Sequence, residues 1–170
     1  MSKQLFLVRH AKSDWSVSLP DFERPLNSRG ERQSLQIGEW MQTNKLIPDC
    51  IISSPATRAR DTIMNICTGL DFDPHQICWQ AELYHASWKT LLNAALKKLE
   101  NHNTVMLVAH NPGLDELVER LCPAQELPVE NDAKLMTTAS FAQFELADNL
   151  HEHTYQSGHL IQLIRPVDII

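Results

Sequence analysis

The sequence predicts an α/β fold, a three-layer α/β/α sandwich built around a mainly parallel central sheet. Apolar runs of strand length alternate with helix-like segments along the 170 residues. The strand-like runs are almost continuously apolar, which is typical of parallel strands covered by helices on both faces. No internal repeat, low-complexity tract or linker interrupts this alternation. We therefore expect one domain over residues 1–170, without a substantial lid insertion.

Two strands and a helix are predicted near the start of the chain. Residues 4–8, QLFLV, are a short apolar run between polar residues and predict a buried strand. Residues 28–43 predict a helix, and Ser28 with Glu31 has the spacing of a capping box at its start. Residues 49–54, DCIISS, predict the second strand.

The middle of the chain predicts two helices with a short strand between them. Ser54 is suited to cap the first of these helices and Pro55 to open it, and its pattern continues to about Leu70. A short strand is predicted over residues 76–79, followed by a helix over residues 87–100. The apolar stripe of that helix predicts core packing, not a cofactor site, and consists of Trp88, Leu91, Leu92, Ala95, Leu96 and Leu99.

One more buried strand and two alternating strands complete the predicted sheet. The buried strand is TVMLVA, residues 104–109, and Asn111 and Pro112 after it are suited to cap and begin a helix. Residues 140–146 and 159–164 alternate in the manner of half-buried strands.

The composition excludes several classes of partner. A net charge of -6 argues against broad nucleic-acid binding, which requires a basic face. No apolar run approaches the roughly 18 residues of a membrane span, and the N-terminal apolar run is too short for a signal peptide. We therefore expect a cytoplasmic protein that binds neither nucleic acid nor membrane, while its oligomeric state is not specified by the sequence.

Neither the cysteines nor a short histidine pair predicts a metal or a cofactor. The cysteines form no CxxC pair or metal-finger spacing and are interpreted as reduced thiols; they are Cys50, Cys67, Cys78 and Cys122. His151 and His153, in the sequence HEH, have acidic and polar neighbours that indicate a solvated loop.

Basic and titratable side chains follow three of the predicted strands. Arg9 and His10 end the first strand, Arg58 lies just after the second, and His110 follows TVMLVA. Ligands of parallel sheets bind beyond the carboxyl ends of the strands. If these strands are neighbours, two arginines and two histidines meet beside two helix N-termini, an arrangement that favours phosphate. The sequence thus predicts a small cationic pocket in an acidic protein.

These segments, taken together, resemble the histidine phosphatase superfamily, which shares its fold with cofactor-dependent phosphoglycerate mutase. Many members have Arg-His-Gly where this chain has Ala11 after Arg9 and His10. The resemblance covers residues 4–166 and is to the SixA branch of small phosphohistidine phosphatases. The blocks that carry it are RHAKSDW, ERPLNSRG, SSPATRARDT, ELYHAS, LVAHNPGL, MTTASFAQFEL and the closing IRP.

The resemblance implies a role for each residue at the strand ends. His10 would attack phosphorus and form a phosphohistidine intermediate, with its other ring nitrogen held by a backbone carbonyl. Arg9 and Arg58 match the phosphate-clamping arginines, and His110 matches the second histidine, which donates a hydrogen bond to the phosphoryl group. No metal or cofactor is implied, since the arginines balance the charge.

The proton donor and two further phosphate contacts are less specified. Glu82 occupies roughly the block of the general acid in larger family members, Asp21 is a second candidate, and the absence of any acid is the third alternative. His85 is close to Glu82 in the sequence. Ser13 and Ser16 are candidate phosphate ligands of the loop after His10, and Ser16 stands where mutase-like relatives carry asparagine.

The substrate expected from these features is phosphohistidine on a protein, such as a histidine phosphotransfer domain. Imidazole is a better leaving group than an alkoxide and depends less on an acid. The chain between Arg58 and Lys97 is used by two helices and a short strand, leaving little for a lid over a small ligand. The alternatives are a small-molecule phosphomonoesterase of the same superfamily and a phosphate-binding module without catalysis.

Overall fold

A computed structural model of the chain describes residues 2–128, 134–148 and 156–169. It confirms the predicted α/β fold, with a central sheet of six strands. The strands are β1 (Lys3–Arg9), β2 (Cys50–Ser53), β3 (Ile77–Trp79), β4 (Thr104–Ala109), β5 (Phe141–Leu146) and β6 (Gly158–Ile164). Their order across the sheet is β3-β2-β4-β1-β5-β6.

The first four strands of the chain are parallel neighbours, and the last two are antiparallel additions at one edge. β1 pairs in parallel with β4, β4 with β2, and β2 with β3. β5 runs antiparallel to β1, and β6 runs antiparallel to β5. In this register Arg9 lies opposite Ala109, and Ser53 lies opposite Val108. The carboxyl ends of β1, β2 and β4 therefore lie side by side.

Helices cover both faces of this sheet. They are α1 (Ser28–Thr43), α2 (Thr57–Leu70), α3 (Trp88–Leu99) and α4 (Gly113–Leu121). Buried side chains of α3 and α4 pack with Leu5 and Leu7 of β1 on one face. Those of α1 and α2 pack with Phe6 and Val8 on the other. Alternation along β1 thus buries its side chains in two cores, which fixes the end of the strand firmly.

The stripe predicted on α3 is confirmed as core. Its five aliphatic members from Leu91 to Leu99 are buried, and Trp88 packs against the same core while partly exposed. The four cysteines are free, and burial raises the pKa of the Cys67 thiol to about 12. No helix in the described ranges is long and apolar enough to cross a bilayer.

The capping box predicted at the start of α1 is wrong. The cap is Asn27, whose side chain accepts a hydrogen bond from the backbone N–H of Gly30 at 2.9 Å. Ser28 is already helical, and its side chain makes no cap. Serine and asparagine both cap helices well. Asn27 is the cap here because its backbone is extended, as a cap requires.

The predicted start of α2 is also wrong, for a reason connected with function. The helix begins at Thr57, after Ala56 as the N-terminal cap residue, and no side chain caps it. The hydroxyl oxygen of Ser54 accepts from the N–H of Ala56 at 3.3 Å and also lies 2.8 Å from Nε2 of His110. The Ser54 side chain thus contacts the histidine that directly follows the neighbouring strand β4.

The start of α4 shifts by one residue. Pro112 is the N-terminal cap residue and the helix begins at Gly113, after a cis Asn111–Pro112 peptide bond. Asn111 does accept a hydrogen bond near the helix start, from the N–H of Asp115 at 3.2 Å. A side chain at Gly113 would collide with the carbonyl of Ala86, so the close approach of the two backbones requires glycine.

Candidate active site

The structure brings the residues at three strand ends into one cavity of about 310 Å³. His10 follows β1 directly, and its backbone N–H donates to the carbonyl of Ala109, the last residue of β4, at 3.1 Å. His110 follows β4, and Arg58 lies in the first turn of α2 beyond the end of β2. All three side chains, together with Arg9, line the same cavity. The predicted convergence of these four residues is what the structure shows.

His10 is held as a neutral imidazole with one nitrogen free. Its Nδ1 lies 2.8 Å from the carbonyl oxygen of Ala11, and because a carbonyl only accepts, Nδ1 carries the proton. Burial lowers the pKa of His10 to about 3, with Arg58 and Arg9 contributing in the same direction. Nε2 therefore has an available lone pair at neutral pH, as a nucleophile requires.

His110 faces His10 across the pocket floor. The two ring centroids are 5.1 Å apart. Burial lowers the pKa of His110 to about 3, and the neighbouring His10 and Arg58 side chains contribute in the same direction. Its Nδ1 is buried and has no hydrogen-bond partner in the described part of the chain. The Ser54 hydroxyl lies 2.8 Å from Nε2 of His110, and when it donates there, Nδ1 carries the proton of the neutral ring and is an N–H donor.

The two predicted clamp arginines are anchored in different ways. Arg58 is only 3% exposed and donates from Nη1 to the backbone oxygen of Asp21 at 2.7 Å and from Nη2 to its carboxylate at 3.0 Å. Arg9 donates from Nη1 to the carbonyl of Met136 at 2.9 Å. In both residues Nε is buried without a hydrogen-bond partner in the described ranges. Each guanidinium is thus oriented by these bonds, while its Nε–H and other N–H donors remain available.

A third arginine in the cavity, Arg24, is not among the predicted site residues. It is 8% exposed, donates from Nε to the hydroxyl of Ser13 at 3.1 Å and pairs with Asp21 at 2.8 Å. Its guanidinium lies 3.7 Å from the ring centroid of Trp15. In the sequence, Arg24 falls within ERPLNSRG, one of the blocks that carry the resemblance, and it has an i,i+3 spacing from Asp21 that an ordinary surface ion pair shares.

Asp21 is an ion-pair centre and does not fit the role of general acid. Its carboxylate pairs with Arg58 and Arg24, accepts from the hydroxyl of Tyr84 at 2.6 Å and lies 3.2 Å from Nε2 of His85. The Tyr84 hydrogen bond, followed by the Arg58 charge, holds the pKa of Asp21 well below its usual value. Asp21 therefore has no proton to give in the free protein, and we assign it to positioning the arginines.

Glu82 is not part of this cavity. It is exposed, in a 3₁₀ turn from Ala81 to Leu83, and borders a separate surface hollow beside α3. The turn buries Leu83 and directs Glu82 outward, so the prediction that places Glu82 in the site is wrong. The two residues that follow the turn face the site instead, since Tyr84 bonds to Asp21 and His85 lines the cavity.

His85 is the histidine near Glu82 that the structure brings to the pocket. Its side chain is 58% exposed, and its backbone has a φ of 53°, in the left-handed region. Its ring centroid lies 4.0 Å from that of Tyr84 and 6.0 Å from that of His110. A titratable side chain thus stands at the mouth of the cavity, beside the ionised Asp21.

The two candidate serine ligands differ in position. Ser13 is buried and lines the cavity, and its hydroxyl accepts from Arg24, so that its proton is free for a ligand. Ser16 is exposed, and both its N–H and its hydroxyl donate to Asp14, at 2.8 and 2.6 Å. Because this local turn uses the donors of Ser16, and Ser16 does not line the cavity, the prediction for Ser16 is wrong.

The lining of the cavity is strongly cationic. Among the described residues that line the cavity, Asp21 contributes the one carboxylate. Against this one negative charge stand five positive side chains, Arg9, Lys12, Arg24, Arg58 and Lys134. No cluster of three or more metal-ligating side chains occurs in the described ranges, and His151 and His153 lie outside them. The pocket is therefore built for an anion with several oxygens.

Comparison with known proteins defines the class. The family model of the histidine phosphatase superfamily, branch 1, matches residues 5–98, more than half of the chain. The chain belongs to this superfamily. Its similarity extends to phosphohistidine phosphatase SixA of Escherichia coli strain K12, at 26% identity over 148 residues, covering 86% of this chain and 87% of that protein.

Solved structures support the same fold. A candidate phosphohistidine phosphatase SixA from Agrobacterium tumefaciens superposes with a TM-score of 0.79 at 26% identity, covering 98% of this chain and 99% of that one. A protein histidine phosphatase SixA in complex with tungstate gives 0.80 at 24% identity. The chain spans 63% of the length of an uncharacterized protein of Mycobacterium tuberculosis, to which it is 33% identical over 105 residues.

Proposed function

We propose that this protein is a phosphatase in which His10 takes the phosphoryl group from the substrate and passes it to water. The observation that carries this proposal is the state of His10. Its Nδ1 proton is fixed on the Ala11 carbonyl, the ring is neutral, and Nε2 is free in a cationic cavity.

Three buried donors that have no hydrogen-bond partner among the described residues support binding of a phosphoryl group at this place. They are Nε of Arg9, Nε of Arg58 and Nδ1 of His110, one from each strand end. A buried polar group left without a hydrogen bond is costly, and such a group in a native structure is often explained by an absent ligand. Phosphoryl oxygens would satisfy all three donors.

The proposed reaction has two displacements at phosphorus. First, the lone pair on Nε2 of His10 forms a bond to phosphorus, while the bond to the leaving group breaks and its electron pair departs with that group. Arg9, Arg58 and His110 balance the charge on the phosphoryl oxygens. A water oxygen then bonds to phosphorus and gives a proton to the group that protonated the leaving group in the first step. The bond from phosphorus to His10 breaks, its electron pair returns to Nε2, and inorganic phosphate leaves.

The proposed substrate is phosphohistidine carried on a protein. The similarity to SixA supports this choice, and so does the lining of the cavity, where Asp21 is ionised and Glu82 is absent. A site without a protonated carboxyl suits an imidazole leaving group better than an alkoxide. In this proposal His85, at the mouth of the cavity and 3.2 Å from Asp21, supplies the proton to the leaving imidazole.

The experiment that tests the function compares three substrate classes in the presence of a metal chelator. They are a histidine phosphotransfer domain phosphorylated on histidine, free phosphohistidine, and a set of alkyl phosphate monoesters. We expect turnover of phosphohistidine that the chelator does not reduce, and ester rates lower by about 100-fold or more, as removal of acid catalysis entails.

Three results would defeat parts of this proposal. A preference for esters would favour a small-molecule phosphomonoesterase. Phosphate binding without turnover of any substrate would favour the non-catalytic module. Loss of activity in chelator would show that the arginines do not suffice to balance the charge.

A further inference from the structure

Exposed apolar side chains are concentrated beside the mouth of the cavity. We call residues 14–23 the rim segment. Four of its side chains are large, apolar and solvent-accessible: Trp15 (72% exposed), Val17 (37%), Leu19 (49%) and Phe22 (40%). They make up nearly half of the exposed large apolar side chains in the described ranges. An apolar concentration of this kind on a protein surface is typical of an interaction site.

Both ends of the rim segment are fixed to the cavity. Near one end, Trp15 lines the cavity and stacks on Arg24. Near the other, the ring of Phe22 meets that of Tyr84 edge-on at 5.0 Å, and Tyr84 donates to Asp21. The segment between Trp15 and Phe22 therefore runs along the rim of the pocket. Any molecule that extends out of the pocket on this side meets it.

The kind of partner follows from which residues reach the cavity. Val17 and Leu19 do not line it, so a small phosphorylated metabolite seated on the floor has no use for them. A folded protein that presents a phosphorylated side chain to the floor would cover them. The exposed cations Lys12 and Lys134 at the cavity add attraction for the phosphoryl group and for acidic groups around it.

We infer that the rim segment is the docking surface for the protein that carries the phosphohistidine. This inference rests on the proposed function and adds to it the surface that recognises the carrier. The partner is a folded domain whose phosphorylated histidine is exposed and surrounded by apolar surface. Burial of Val17 and Leu19 supplies affinity for the carrier, while the cavity floor supplies the chemistry.

The test separates docking from chemistry by comparing two substrates of different size. Val17→Ser and Leu19→Ser are combined, because neither residue lines the cavity. kcat/KM is measured on a histidine phosphotransfer domain phosphorylated on histidine and on free phosphohistidine. We expect a loss of about tenfold on the protein substrate, mostly through KM, which corresponds to about 1.4 kcal/mol of lost binding. Turnover of free phosphohistidine stays within about twofold of the wild type, which also shows that the variant is folded.

A matched control uses apolar residues of similar exposure elsewhere on the surface. Ile47 is 45% exposed and Ile161 is 44% exposed, and both are changed to serine. This control leaves both activities unchanged. The inference is overturned by equal activity of the rim variant and the wild type on the protein substrate, or by an equal loss in the control. A wild type inactive on both substrates would overturn the proposed function and the docking with it.

Discussion

The floor and the rim of the cavity are built from different kinds of secondary structure and differ in solvent exposure. The floor, His10, Arg58 and His110, is at most 8% exposed and stands at or just beyond the ends of strands whose side chains fill two cores. The rim, by which we mean the rim segment (residues 14–23) together with Tyr84 and His85, consists of loops and short turns and is largely exposed. The comparison teaches that the sheet fixes the groups proposed for chemistry, while loops present the groups proposed for recognition and proton transfer.

The two regions also differ in what they require of the fold. The floor buries two histidines in their neutral form and holds arginine donors that have no partner among the described residues. These arrangements are unfavourable in the free protein and become favourable when an anion is bound. The rim carries no comparable buried group. Substitutions on the floor should therefore affect every substrate, and substitutions on the rim should affect substrates selectively.

The largest effect is expected at His10. His10→Ala removes the proposed nucleophile and should reduce turnover of every phosphohistidine substrate to background, a loss of at least about 10⁴-fold. Phosphate binding should survive in part, because Arg9, Arg58 and His110 remain. Steady-state rates and phosphate titrations measure the two properties separately. Normal turnover by His10→Ala would remove the nucleophile assignment.

The second effect concerns Arg58. Arg58→Ala should lower kcat by about 10²- to 10³-fold, as the loss of a preorganised charge in a transition-state clamp does. Arg58→Lys should recover part of that loss, since it restores the charge without the planar fork. A change in KM alone, with kcat intact, would show that the arginine binds substrate but does not stabilise the transition state.

The third prediction is a pH dependence of stability that originates in the floor. The folded-state pKa of His10 and of His110 is about 3, against an ordinary value of 6.5. As pH falls below 6.5, the unfolded chain takes up protons that the folded chain does not, so stability falls. Between pH 7 and 5 each histidine should cost about 2 kcal/mol.

Urea unfolding at the two pH values, without phosphate, measures this cost. His110→Gln should lose about 2 kcal/mol less than the wild type between pH 7 and 5. His75→Gln is the control, because His75 is exposed on the surface, where its ring pairs with Asp73 at 3.0 Å. Equal pH dependence in the wild type and His110→Gln would mean that the floor histidines are not held neutral.

The smallest effect is expected at Asp21, where the floor meets the rim. Asp21→Asn loosens Arg58 and Arg24 and should lower kcat about tenfold. It also removes a negative charge beside the anion site, so inorganic phosphate should inhibit more strongly. Asp14→Asn, a carboxylate of the same segment outside the cavity lining, should change neither property. Weaker phosphate inhibition in Asp21→Asn would show that Asp21 does not oppose the anion.

The same division explains what the sequence could predict. The buried strands were recognisable from apolar runs, and β4 has the predicted bounds of residues 104–109. Once those strands are placed, the residues at their ends follow, which is why Arg9, His10, Arg58 and His110 converge as expected. Strand order and the antiparallel pairing of the last two strands depend on tertiary packing and do not follow from any one segment.

The rim could not be predicted in the same way, because single turns decide which side chains face the cavity. A 3₁₀ turn directs Glu82 away and brings Tyr84 and His85 inward. A local turn occupies the donors of Ser16. Arg24 has the spacing of an ordinary surface pair, and only the folded loop shows that it is buried.

The central claim, that His10 carries the phosphoryl group, has one direct test. The wild type is mixed with phosphohistidine labelled at phosphorus, quenched within milliseconds in alkali, and its labelled peptide is sequenced. We expect a label at residue 10 that is stable in alkali and lost in acid, and that is absent from His10→Ala. Turnover without any label at residue 10, or a label on another residue, would contradict it.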